Sequence, residues 1–175
     1  MDIKALYKLS YGMYIVCSKK SDKLNGQVAN TVFQITSEPP TIAVSINKNN
    51  LTHSYISESK VFTASVLNIS TPLSFIGGFG FRSGKDVNKL AGINYKLGKT
   101  GAPVILDNTV AYIEANVVKQ LDVGTHTIFV GEIADAEVLN ETEIMTYANY
   151  HLVRRGTTPS AAPTFIAEPE GPKKA

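Results

Sequence analysis

The run Ser45-Ile46-Asn47-Lys48-Asn49-Asn50-Leu51-Thr52-His53 carries the densest chemistry in the chain. It leaves an apolar stretch, turns through amides and a lysine, and enters what reads as a helix. Hydroxyls, amides, an ammonium and the free N–H groups of a helix start can together receive a phosphate. The same residues also suit an ordinary polar strand-to-helix turn. No glycine-rich fingerprint of the Walker or dinucleotide type is present. A second cluster, Asn30, Thr31 and Gln34, interrupts the strand-like run 25–34. Donors there would meet a polar ring edge, or simply face solvent. The third candidate, Gly77-Gly78-Phe79-Gly80-Phe81-Arg82-Ser83-Gly84-Lys85-Asp86, holds four glycines and two cations. It reads as a flexible loop able to meet an anion, although glycine loops without ligands are common.

The elements that must position these groups are mostly strands. Tyr11 to Ser18, Gln27 to Thr36, Thr41 to Ile46 and Val61 to Leu67 are rich in β-branched and aromatic residues, which suit a pleated surface. The Asn25-Gly26 pair between the first two reads as a hairpin turn, and Glu38-Pro39-Pro40 interrupts the ladder after the second. Val110 to Leu121 and His126 to Leu139 are the longest strand candidates, separated by the turn Asp122-Val123-Gly124-Thr125. Two long strands joined so closely fit a barrel wall better than a parallel sheet with crossovers. Helices are expected at Leu51 to Ser59, with Asn50 or Thr52 as cap, at Pro72 to Phe79, and over Glu141 to Leu152.

Composition narrows the function classes. Hydrophobic residues make up 43% and charged residues 18% of 175, with a net charge of +2, ordinary for a soluble domain. No basic stripe speaks for nucleic acid. No run approaches the roughly 18 apolar residues of a membrane span, and the start, Met1-Asp2-Ile3-Lys4, has no signal-peptide character. Cys17 is the only cysteine, so an intrachain disulfide is ruled out and a cytoplasmic setting is expected. Cys17, Tyr11, Tyr14, Phe33 and Phe129 read as core. His53, His126 and His151 are too far apart to suggest a metal site. Past Arg155, Gly156 to Ala175 contains four of the eight prolines, which favours an extended tail after a domain spanning 1–155.

Four pieces in order resemble the flavin reductase-like, FMN-binding split-barrel family. They are Tyr11-Gly12-Met13-Tyr14-Ile15-Val16 followed by Asn25-Gly26, then Ser37-Glu38-Pro39-Pro40, then Ser45 to His53, and last Gly124-Thr125-His126-Thr127-Ile128-Phe129-Val130-Gly131-Glu132. Within the family the chain is most similar to the flavin domain of high-molecular-weight rubredoxins and to flavoredoxin, although it carries no paired-cysteine rubredoxin module. The resemblance implies a mainly β, six-stranded Greek-key split barrel with a few peripheral helices, working as a homodimer. It implies non-covalent FMN, with Asn30, Thr31 and Val32 along the isoalloxazine. Ser45, Ile46, Asn47, Lys48 and Thr52 would hold the phosphate and ribityl chain, and Phe81, Arg82, Ser83 and Lys85 would close over them. His126 is the catalytic candidate, either placing a nicotinamide or donating a proton, with a structural turn role as the alternative. Thr125 stands where the signature usually has aspartate.

The implied activity passes electrons from NAD(P)H through FMN to free flavin, or to a rubredoxin or flavodiiron partner. The alternatives are a pure electron carrier without NAD(P)H activity, and a non-redox module that holds flavin or haem. Fold alone does not choose among them.

Overall fold

Asn30 and Thr31 decide the architecture. In the computed structural model, which describes residues 2–165, the expected strand Gln27 to Thr36 is two strands, β2 (Lys23–Ala29) and β3 (Val32–Ser37). The other long strands are β1 (Tyr14–Lys20), β4 (Pro40–Asn47), β5 (Val61–Leu67), β8 (Thr109–Asp122) and β9 (His126–Val138). A small hairpin, β6 (Tyr95–Leu97) and β7 (Pro103–Ile105), stands apart. The long strands form one antiparallel sheet in the order β2-β1-β5-β8-β9-β4-β3, so β2 and β3 lie at opposite edges.

Strands sit about 4.8 Å apart, which would place the edges of a flat sheet on the order of 29 Å from each other. A two-residue link between Ala29 and Val32 reaches roughly 11 Å at most. The sheet must therefore roll until its edges meet. Beside the link, the β3–β4 ladder continues past Val32 and Val44: the Ser45 N–H donates to the Thr31 carbonyl at 3.2 Å, and Thr31 Oγ1 donates to the Ser45 carbonyl at 3.2 Å. Bulges at Ile35 in β3, at Val118 in β8 and at Ala134 in β9 supply the local bending that rolling requires.

Val16, Ile42, Val44, Ile46, Phe62 and Phe129 fill the barrel. Gly131 belongs to this interior, because a Cβ there would come within 2.7 Å of Ala115 and 2.8 Å of the Phe62 ring. A second core lies outside β1, where Ile15 and Cys17 pack with Leu67, Ile76, Phe79 and Met145. β1 is thus covered on both faces, which explains its unbroken apolar run. The helix α1 (Leu51–Ser59) buries Thr52, Tyr55 and Ile56. The helix α2 (Leu73–Gly80) covers the second core with Ile76 and Phe79. In β8 the buried Glu114 carboxylate accepts from the Lys99 and Thr100 N–H groups at 3.1 and 3.0 Å and from Thr100 Oγ1 at 2.9 Å, tying down the β6–β7 loop.

The fold is the expected mainly β split barrel, and the sheet counts seven strands because the seam divides one expected strand. Three local expectations need correction. The first hairpin turns at Ser21-Asp22, with Lys20 opposite Lys23. Asn25 and Gly26 lie inside β2, where a Cβ on Gly26 would meet Cys17 Sγ at 2.6 Å. That glycine serves packing and not a turn. Gly77, Gly78 and Gly80 belong to α2 and not to a loop, and Gly80 lets the helix press on Val28. Residues 141–146 are extended, and the chain turns helical from Tyr147, continuing through Asn149–Val153. In the extended part the main chain of Met145 pairs with Leu67 and Met13, and burying that methionine outweighs local helical spacing.

Candidate functional site

A cleft of about 460 Å³ opens beside the seam. Its walls are the end of β2, the β4–α1 turn, the loop after α2, and the first residues beyond Arg155. Of the expected site residues, Asn30, Ser45, Asn47, Thr52, Phe81, Arg82 and Ser83 line it. The others sit nearby. Thr31 is tied up with Ser45 at the end of the β3–β4 ladder. Val32 packs against the barrel core and Ile46 is wholly buried within it. Lys85 faces a neighbouring groove. Lys48 is exposed and reaches both oxygens of Asp122 at 2.6 Å; this ammonium and the Gly124 N–H hold the Asp122 carboxyl below its ordinary range.

One end of the cleft is rich in donors. Asn47 Oδ1 accepts from the Asn49 N–H at 2.9 Å, fixing the turn, and Asn50 occupies the helix cap position without a side-chain cap bond. The first N–H groups of α1 therefore have no side-chain acceptor. Asn25 Nδ2 donates to Thr52 Oγ1 at 2.7 Å, which leaves the threonine hydrogen free to point elsewhere. Gly84 packs so tightly on Asn25 and Leu51 that a Cβ would collide with both, pulling the Arg82-Ser83 segment to the rim. Arg82 is exposed there and forms none of the ion pairs among the described residues.

Elsewhere the lining mixes Met13, Ile76 and Phe79 with three polar groups, Gln27, Asn30 and Lys89. Gln27 Oε1 and Asn30 Oδ1 are buried and have no hydrogen-bond partner, although Asn30 Nδ2 donates to Thr164 Oγ1 at 2.9 Å. Buried acceptors are normally satisfied, so two orphans in one cleft ask for a ligand that donates. Lys89 donates from Nζ to the Phe79 carbonyl at 2.8 Å. Burial pulls its ammonium down to about 8.

Beyond Arg155 the chain doubles back. Arg155 is left-handed at φ 55°, and Gly156 lies flat against Tyr150, where a Cβ would fall 2.2 Å from the ring. The following strap, 157–165, crosses the cleft. His126 lies under it: Nδ1 is 2.9 Å from Thr125 Oγ1, and Nε2 donates to the Ala161 carbonyl at 3.3 Å. His151 reaches Thr158 Oγ1 at 3.1 Å, and burial holds its pKa below the ordinary value. His53 contacts Thr127 Oγ1 at 2.8 Å away from the cleft lining, its pKa also lowered by burial. Sequence reasoning missed Gln27, Lys89 and the cleft-lining role of 157–163; the proline content was the one signal that the tail runs extended. Residues 166–175 of that tail lie outside the described residues. Among the described residues no helix is long and apolar enough to cross a membrane.

A rolled antiparallel sheet with a ligand cleft at its seam is the split barrel of flavin reductases. It is the fold of an NADH:FAD oxidoreductase from Streptomyces globisporus, with a TM-score of 0.74, 23% identity, and 82% and 84% of the two chains covered. The chain belongs to the flavin reductase-like domain family, which it matches over residues 6–155, and it is an oxidoreductase of that type. It is 58% identical over 175 residues to a high molecular weight rubredoxin of Moorella thermoacetica, covering all of this chain and 76% of that protein. It is 54% identical over 166 residues to a ferric-chelate reductase (NAD(P)H) of Archaeoglobus fulgidus, covering 95% and 98%. A flavoredoxin from Methanosarcina acetivorans shares the fold at a TM-score of 0.68 and 25% identity, covering 74% and 69%.

Proposed function

We propose that this chain binds FMN non-covalently in the seam cleft and is an NAD(P)H-dependent reductase that hands the electrons on. The acceptor is free flavin, a rubredoxin-type iron protein or a flavodiiron protein, and the setting is cytoplasmic. The observation that carries this reading is the pair of orphaned amide oxygens, Gln27 Oε1 and Asn30 Oδ1, in a cleft one end of which offers free donors. An isoalloxazine edge carries an N–H donor that fits such acceptors, and a phosphate fits the start of α1. The bound flavin supplies two-electron chemistry that no side chain of the protein can perform.

The protein's share is binding, orientation and proton control. Ser45, Asn47, Thr52 and Ser83 hold the ribityl and phosphate oxygens, with the first N–H groups of α1 behind them. Arg82 is the exposed cation at the cleft rim and forms no ion pair among the described residues, so it carries most of the phosphate attraction, while Lys48, held by Asp122, contributes at longer range. Gln27 and Asn30 orient the ring, and Thr31 and Val32 keep the seam closed beneath it. Ile46 contributes through the core that fixes Ser45 and Asn47. Phe81 and Lys85 belong to the segment that folds over the rim. His126 holds a proton at Nε2, the atom facing the strap.

The working unit is a homodimer. Phe33 and Leu121 are exposed at the ends of two cross-strand rows that run through Val130 and Ile128, giving apolar outer surface near the cleft that a second copy can cover. The test of the whole reading is direct. The purified or reconstituted protein is denatured and the released flavin identified by mass, and bleaching of the yellow band by NADH and NADPH is followed without oxygen. FMN and bleaching are expected; FAD, no flavin, or a flavin that neither dinucleotide reduces refutes the reading. His126→Ala is expected to retain FMN while slowing flavin reduction or re-oxidation, and normal rates in both would return His126 to a structural role.

A further inference from the structure

We propose that the strap 157–165 is a gate that competes with the nicotinamide donor for the cleft, so that the donor enters only when the strap lifts. This rests on reading the cleft as a flavin site. Residues 157–163 line the cleft with the candidate flavin residues, yet they fall outside the family match, which ends at 155.

The way the strap is held separates it from the other walls. The β2 and β4 walls are fixed by ladder hydrogen bonds to neighbouring strands. Within 157–165, the backbone bonds among the described residues are two internal turns, Ala162 N–H to the Pro159 carbonyl at 2.9 Å and Phe165 N–H to the Ala162 carbonyl at 3.1 Å. Among the described residues, every hydrogen bond from the strap to the body uses a side chain of the body. Tyr150 donates to the Thr157 carbonyl, Tyr147 meets Thr158 and Thr164, and His151 meets Thr158. On the barrel side, Asn30 holds Thr164 and His126 holds the Ala161 carbonyl. The strap thus keeps its own shape and is latched at its rim.

Its composition suits repeated opening. Residues 157–164, Thr-Thr-Pro-Ser-Ala-Ala-Pro-Thr, carry no charge and no large apolar side chain, and Phe165 is largely exposed. Lifting the strap therefore strands no buried charge and exposes little apolar surface. Its two prolines narrow the open ensemble and favour reclosing. The left-handed Arg155 and the glycine against Tyr150 provide a fixed pivot.

Hydride transfer requires the reacting atoms to come within about 3–3.5 Å of each other. A planar donor must therefore replace whatever covers the exposed face of a ring in the cleft, and the strap is the part of the lining that can yield. Opening also breaks the contact between His126 Nε2 and the Ala161 carbonyl, freeing that N–H when the donor arrives. In the closed state both Asn30 and His126 are engaged by the strap.

The experiment uses the full chain loaded with FMN. A nitroxide is placed on Ser160→Cys (Cys17 is fully buried and does not compete for the label), and its paramagnetic broadening of the Asn30 and His126 amides is compared with and without oxidised NAD+ and NADP+, which bind without reducing the flavin. Saturating dinucleotide is expected to cut that broadening at least twofold while signals from β5 and β8 stay unchanged. Thr164→Val removes two latches, and Thr158→Val removes two others as a control for local misfolding. Each is expected to lower KM for the reduced dinucleotide about threefold to thirtyfold by raising the open fraction, without lowering the saturating rate. If the dinucleotide leaves that broadening unchanged or greater, or if both variants keep the parent KM, the gate is refuted while the reductase stands. A protein that takes up no flavin, or is reduced by neither dinucleotide, refutes the reductase reading and the gate together.

Discussion

Replacing Lys89 by methionine should stabilise the flavin-free protein near neutral pH and lose that advantage in alkali. Lys89 gives one hydrogen bond to the Phe79 carbonyl, and burial pulls its ammonium from 10.5 to about 8. At 1.36 kcal/mol per pH unit, that depression corresponds to about 3.4 kcal/mol. Water still reaches part of the side chain, and allowing for that screening roughly halves the figure to about 1.5–2 kcal/mol. Because the folded-state value lies below the unfolded one, from about 8 to 10.5 the unfolded chain holds a proton that the folded chain lacks. Wild-type stability therefore rises with pH across that window and is lowest below it. Cys17, pushed up to about 12 by burial, stays protonated throughout. Urea unfolding of Lys89→Met and wild type is compared near pH 7 and pH 10.5. The variant should lead by about 1.5–2 kcal/mol at the lower pH and by close to nothing at the higher. A difference that does not change with pH would refute the reasoning, since it would mean that packing and not charge sets the cost of Lys89.

Arg82→Ala should weaken FMN binding about ten- to a hundredfold, as loss of a charged contact implies, with riboflavin hardly affected; Lys48→Ala should do less, and equal losses for both ligands on titration would remove Arg82 from the phosphate. Glu114→Ala should lower stability by about 3 kcal/mol or more, because three donors lose their acceptor in a buried place; a thermal scan within two degrees of wild type would contradict it. Leu121→Arg places a charge on the apolar outer face, and sedimentation over a dilution series should then find monomer where wild type is dimer. A dimer that survives this substitution would put the subunit contact elsewhere.

What could be read in advance depended on how local its cause was. α1 and β5 fall on their expected limits, and the β8–β9 hairpin turns where expected, since periodicity and turn chemistry act over a few residues. The strand expected over 27–36 failed because its break is imposed by closure of the sheet; Asn30 and Thr31 mark the spot as polar residues but not as an end of the strand. The first half of the Glu141 to Leu152 helix failed because Met145 is claimed by a distant core. The signature around His126 is partly packing: Phe129, read as core, and Gly131 sit inside the barrel. Within the cleft, Asn30, Ser45, Asn47 and Thr52 were legible because a cluster of donors is a chemical pattern. Lys89 arrives from an unremarkable polar stretch, and the strap from a tail whose composition speaks against packing; only the folded chain brings them to the cleft.

The seam at Asn30-Thr31 also sets an order of events in time. The pairs β1–β2, β3–β4 and β8–β9 are neighbours in sequence, but β5 must find β8 and β4 must find β9, as when Val61 meets Asn116 and Ala43 meets Val130. Such distant pairings place folding in the slower, millisecond-to-second regime. The cleft takes its walls from the first hairpin, the end of the second and the loop after α2, so no subset of these builds it. Flavin capture is therefore the last step of folding, and the yellow colour should lag behind the growth of β-structure in a refolding experiment. Once bound, ligand at a hundred times its Kd adds about 2.7 kcal/mol to the finished barrel and nothing to any state in which the seam is open.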